Sequence, residues 1–195
     1  MRGRSITKMR HFTTAVAVGV AFVWLVCSPL FATGKAKAKI GYWENVDKEM
    51  AGVVLGKDKK ADLDAKFGGE SCIIPSLKGK TLSHFYITKG GEFLRFDIMG
   101  NVVVSMTISM DPIVSGICYA PIGKAVPLST KLGIQLGDPM DKIINVYGKS
   151  MTKIVSGDIV RLKYRTGGTN RVHIENNLVF RNKKLVLWSS AIQRG

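Results

Sequence analysis

Residues 130–150 read TKLGIQLGDPMDKIINVYGKS, and the reading of this stretch decides the fold. Gly133 to Gly137 spell GIQLG, and Asp138 and Pro139 follow. An aspartate can cap a helix N-terminus, and a proline suits the first turn. Met140, Ile143, Ile144 and Tyr147 then fall at i, i+3, i+4 and i+7, which is one helical face. Gly148 comes next and is free to adopt the left-handed backbone that ends a helix. The stretch therefore predicts a glycine-bounded turn followed by a short amphipathic helix.

The same grammar stands 81 residues earlier. Gly52 to Gly56 spell GVVLG, a charged segment follows, and Phe67-Gly68-Gly69 matches Tyr147-Gly148-Lys149. Leu63 and Phe67 keep the i, i+4 spacing, but Lys57, Lys59 and Lys60 make this first helix poorer in apolar residues. It must depend on packing against a sheet. Downstream, Phe96 matches Phe180, Val102 matches Val186, Val104 matches Trp188 and Ile108 matches Ile192, all at an offset of 84. Ordered matches at a near-constant offset read as an internal duplication.

Alternation follows each helix. Leu94, Phe96 and Ile98 oppose Arg95 and Asp97, Gly100-Asn101 makes a tight turn, and Val102, Val104, Met106, Ile108 and Met110 oppose Ser105, Thr107 and Ser109. One face is expected buried and the other wet. A strand near Leu82 to Thr88 feeds this hairpin through Lys89-Gly90-Gly91. In the second half strands are expected at 159–165, 171–175, 178–181 and 185–192. Their turns would lie at 167–170, Asn176-Asn177 and Asn182-Lys183. The expected fold class is α+β, with two tandem repeats, each a short helix on an antiparallel meander. The expected segments are 1–34 as an export signal, 35–110 as the first repeat, 111–130 as a Pro/Gly-rich linker and 131–195 as the second repeat.

The half-motif resembles the BamE/SmpA-type and β-lactamase-inhibitor-protein-like periplasmic modules, in which a glycine-bounded turn precedes a helix and an antiparallel sheet follows it. The tandem arrangement is similar to that of the β-lactamase inhibitory proteins. The resemblance covers 51–110 and 130–192. It implies a non-enzymatic exported protein whose sheet surface contacts another protein, or an envelope-assembly role. It implies no lactamase inhibition, because no residue here matches an inhibitory loop.

The N-terminus carries Arg2, Arg4, Lys8 and Arg10, then an uncharged run from Phe12 to Ala32 broken by Pro29, then Ala32-Thr33-Gly34. That is the order of a secretory signal, with cleavage near Gly34 and a periplasmic or secreted destination. The run is also long enough to act as an inner-membrane anchor. Cys27 follows Trp24, Leu25 and Val26, which lack the leucine at −3 and the small residue at −1 of a lipobox. Loss of the four leader cations takes the formal charge from +15 to +11. An exported basic protein meets acidic protein surfaces or anionic envelope lipid rather than nucleic acid.

Cys72 and Cys118 remain in the mature chain. In an oxidising compartment they read as one disulfide, and otherwise as two buried thiols. His84 and His173 have no His or Cys partner at metal-ligand spacing, so no metal or cofactor is expected. Asp138 and Asp141 read as helix-start acids rather than a catalytic pair, and no serine sits in a nucleophile elbow. Arg161, Lys163, Arg165, Arg171 and His173 share the outward parity of neighbouring strands. They form the candidate binding face for an acidic partner. An enzyme with a site assembled between the repeats, around His84 or His173, is the alternative.

Overall fold

Leu63 and Phe67 bury one side of α1 (Lys60–Phe67), and Ile143 and Tyr147 bury one side of α2 (Met140–Tyr147). Gly68 and Gly148 stop them with positive φ, 107° and 81°, and each glycine N–H bonds back into its own helix. The computed structural model describes residues 46–69, 71–76, 79–166 and 172–194. The leader, Cys27, the 167–170 turn and Arg171 lie outside the described residues. Lys37 to Gly195 cluster as one compact unit.

The strands are β1 (Glu49–Met50), β2 (Val53–Val54), β3 (Cys72–Pro75), β4 (Leu82–Ile87), β5 (Phe93–Met99), β6 (Val102–Ser109), β7 (Ala120–Pro121), β8 (Thr152–Ser156), β9 (Ile159–Arg165), β10 (Val172–Arg181) and β11 (Lys184–Arg194). β1 and β2 form a small ribbon. The others form one nine-stranded sheet in the order β3-β4-β5-β6-β11-β10-β9-β8, with β7 parallel on β4. The other pairings are antiparallel.

This corrects the expected α+β fold of two helix-on-meander repeats. The described residues are mainly β, with 49% strand and 11% helix. β6 and β11 pair directly, Leu187 opposite Ser109 through Ala191 opposite Ser105. The physical reason is that both strands carry unpaired backbone groups and apolar inner faces that only mutual pairing buries together.

Two turns are tight hairpins as expected. Gly100-Asn101 and Asn182-Lys183 both have positive φ at both positions, the type I′ signature. The expected Asn176-Asn177 turn is instead the middle of β10. Asn176 is fully buried there because its amide Nδ2 donates to the carbonyl of Asp47 at 3.3 Å. The expected common face of Val102, Val104 and Met106 is also corrected. Val104 is the extra residue of a β-bulge, so Val103 turns inward with Met106 and Ile108. Val186 is the extra residue of a bulge in β11, and Leu185 turns inward beside Trp188.

Asp138 does not cap α2. Its carboxylate accepts the Gln135 N–H at 2.9 Å and the Lys142 ammonium at 2.8 Å, while Lys142 also donates to the Gly133 carbonyl. Asp58 does the same in the first half. It accepts the Val54 N–H at 3.1 Å and the Lys66 ammonium, which also reaches the Gly52 carbonyl. Each aspartate thereby closes its glycine-bounded loop, and the loop then bonds to a strand. Gly56 N–H and Asp58 C=O meet Val103, and Gly137 N–H and Asp138 C=O meet Leu185. Asp138→Ala is expected to lower the unfolding free energy by about 1–3 kcal/mol, read as a shifted urea midpoint.

Asp47 joins distant elements. Its carboxylate accepts the Tyr147 hydroxyl at 2.5 Å and the Leu132 N–H at 3.2 Å, and its carbonyl takes Asn176 and Ser190. Burial raises the Asp47 pKa, against the lowering pull of its bonds to Thr130, Tyr147 and Leu132. A folded-state value above the unfolded one means that the folded protein holds the proton longer. Asp47's contribution to stability is therefore lost as pH rises through its folded value. Asp47→Asn is expected to flatten the dependence of Tm on pH from the ordinary aspartate range upward, whereas an unchanged slope would place that dependence elsewhere.

Candidate functional site

Helices, loops and core cover the inner face of the sheet. Tyr164, Asn176, Ser190, Met106, Phe96 and His84 form one buried row across it. The opposite face is the candidate site. At its centre the seam strands present mostly short side chains, Ser105, Thr107 and Ser109 against Ala191 and Ser189, with Leu187 at the groove end. The alternation seen in the sequence puts them there, since every second residue of a strand points the same way.

The two ends of this face differ. Over β4 and β5 the 111–121 segment folds back. Cys118 is bonded to Cys72, closing a separation of 46 residues, a constraint of roughly 4 kcal/mol in the chain-entropy model. Tyr119 packs edge-on against Phe93 and Phe85 at 4.8 and 5.7 Å between centroids, and Arg95 lies over Phe85. Over β8, β9 and β10 the face lies open. Ile154, Arg161, Lys163, Val179 and Leu187 line a groove of about 470 Å³ there.

The expected binding residues fall at this open end. Arg161 stands opposite Val179, Lys163 opposite Asn177 and Arg165 opposite Glu175. Lys163 Nζ meets Glu175 Oε2 at 2.7 Å, and Arg165 Nη2 meets His173 Nδ1 at 2.8 Å. Desolvation, with the Arg165 charge, lowers the His173 pKa. Burial alone would raise the Glu175 pKa, but bonds to Lys163 and Asn177 and the Lys163 charge lower it overall. Arg181 pairs with Asp111 at 2.8 Å. Among the described residues Arg161 has no ion pair. Arg171 lies outside the described residues.

The two histidines lie on opposite faces and are not brought together. His84 is fully enclosed under α1, with Nδ1 on Ser71 Oγ at 2.7 Å. Burial, and then the Lys60 charge, lowers its pKa. Among the described residues no three or more His, Cys, Asp or Glu side chains gather as a metal site, and no helix is long and apolar enough to cross a membrane.

Sequence reasoning missed β3 and β8, the two edge strands, because neither alternates cleanly. The available signal for β8 was Gly157-Asp158, a two-residue turn just ahead of the recognised strand β9.

No protein-family model matches the chain, and no characterised protein matches it in sequence. Solved structures similar to it include two extracellular or secreted proteins. One is an extracellular protein containing a SCP domain from Bacillus anthracis str. Ames, with 13% identity over 78% of this chain and 49% of that one and a TM-score of 0.42. The other is a cysteine-rich secretory protein from Staphylococcus aureus subsp. aureus Mu50, with 12% identity over 74% and 47% and a TM-score of 0.44. The chain spans about half the length of each. The continuous nine-stranded sheet corrects the resemblance to BamE/SmpA-type and β-lactamase-inhibitor-protein-like modules. Short glycine-bounded helix motifs recur wherever a helix must stop against a sheet, so they do not identify a family.

If Lys163 holds the Glu175 carboxyl down, Lys163→Met is expected to raise the Glu175 pKa toward the ordinary glutamate value. A side-chain carboxyl NMR titration measures this directly.

Proposed function

We propose that this chain is an exported, non-enzymatic module that docks an acidic protein of the cell envelope on the open end of its sheet. The observation that carries the reading is Arg161, a guanidinium with no ion pair among the described residues, beside an open groove, with Lys163 and Arg165 on the same face. A planar guanidinium with free donors suits a carboxylate. Surface cations of one sign also speed encounter with an acidic partner. Export is supported by the basic-then-apolar leader and by the Cys72–Cys118 bond, since such bonds persist in oxidising compartments. The enclosed His84 supports the non-enzymatic reading over a site around that ring.

Arg161→Glu with Arg165→Glu is expected to weaken binding of the partner captured by the wild type from envelope extract by at least about tenfold. The wild-type complex should also weaken steeply as salt rises from ~50 to ~500 mM. Equal capture by both proteins would overturn the reading. Equal sedimentation of both with phosphatidylglycerol vesicles in place of protein capture would favour an anionic lipid surface instead.

A further inference from the structure

The two edges of the sheet are built differently. β8 is the last strand, and only β9 pairs with it. Gly157 and Asp158 close a two-residue hairpin, with Ser156 opposite Ile159 as its first pair. In such a hairpin the closing pair exchanges both backbone hydrogen bonds, and alternate pairs up the ladder do the same. Ile154 and Thr152 therefore bond toward β9. The Met151 N–H, which reaches the Lys163 carbonyl at 2.8 Å, agrees with that phase. The N–H and C=O groups of Lys153 and Val155 are left pointing off the edge.

β3, at the other edge, shows what a guarded edge looks like here. Its Ser76 N–H bonds to Thr81, so Ser76 corresponds to Ser156 and Pro75 to Val155. Ile73 and Pro75 are the two positions of β3 that face outward; proline removes one of their two N–H groups, and Cys72 beside Ile73 is tied down by the disulfide. Among the described residues β8 has no proline, bulge or covering segment. Ile154 and Val155 are 57% and 61% exposed, the largest values among the exposed large apolar side chains. A free edge with exposed β-branched residues is a template for another strand.

Charge identifies the occupant. Lys153 lies on the edge itself, Arg161 lies opposite Ile154 and Lys163 opposite Thr152. A second copy paired about Lys153 would bring Lys153 against the partner copy's Lys153, and any antiparallel register of two β8 edges would set one basic open face beside another, which is unfavourable. We infer that β8 accepts an extended segment of the partner protein by strand addition, and that this segment alternates acidic with apolar residues. The inference rests on the acidic-partner reading above and adds its mode of binding.

The probe is a blocked heptapeptide alternating glutamate and valine, presented to the full chain at low salt and followed by fluorescence anisotropy and amide exchange. The expected results are saturable binding, new protection of the Lys153 and Val155 amides, and at least about tenfold weaker binding of the lysine-valine analogue. Val155→Pro copies the guard at Pro75. It is expected to remove peptide binding while leaving the circular dichroism spectrum unchanged. Ile154→Ala should weaken binding without touching the backbone groups. Absent binding to the wild type, or binding without protection at Lys153 and Val155, overturns strand addition. If Val155→Pro binds normally and Arg161→Glu does not, the acidic-partner reading stands and strand addition falls. If both variants bind as the wild type does, both fall. Concentration-dependent dimerisation through β8 in place of peptide binding also overturns the inference.

Discussion

The pairing of β6 with β11 is the interaction on which the rest depends. Five residue pairs, from Leu187 with Ser109 to Ala191 with Ser105, join two four-stranded meanders into one sheet. Without it, Met106, Ile108 and Trp188 would each lose part of their cover, and two more edges would be open to water. Beside it, Asn176 and Ser190, facing each other on β10 and β11, both bond to the Asp47 carbonyl more than a hundred residues upstream. The short side chains on the other side of the seam keep the centre of the open face shallow.

Around that seam the two halves use the same local devices. A carboxylate, Asp58 or Asp138, holds a glycine-bounded loop together with a helix lysine, and the loop then bonds to Val103 or Leu185. A bulge follows one residue later, at Val104 or Val186. The strand residue and the bulge lie at an offset of 82, and the two aspartates at 80, not the 84 read from Phe96, Val104 and Ile108. Apolar residues two apart in a strand share a face, so a slip of two leaves the pattern looking sound while misassigning every residue.

The ends of the open face are where the halves part company. The disulfide and Tyr119 cover one end, and Pro75 closes its edge. The other end keeps an uncovered groove, a guanidinium with no ion pair among the described residues and a strand whose outer backbone groups have no partner in the sheet. Differences between otherwise matching halves are informative here, because the shared parts already account for folding.

Local chemistry made much of the chain legible. Glycine stops, the i, i+4 apolar pairs, the I′ turns and the parity of Arg161, Lys163 and Arg165 depend on neighbours a few residues away. The sequence by itself determined those elements and which side of β5 and β9 is wet. Only the tertiary structure decided that the meanders share one sheet, that Asn176 continues a strand instead of turning it, that Asp138 grips a loop instead of capping a helix, and that β8 stands at an open edge. Each of these depends on a partner far along the chain, such as the Asp47 carbonyl or the facing strand, and pairing energy between distant segments leaves no periodicity in either one.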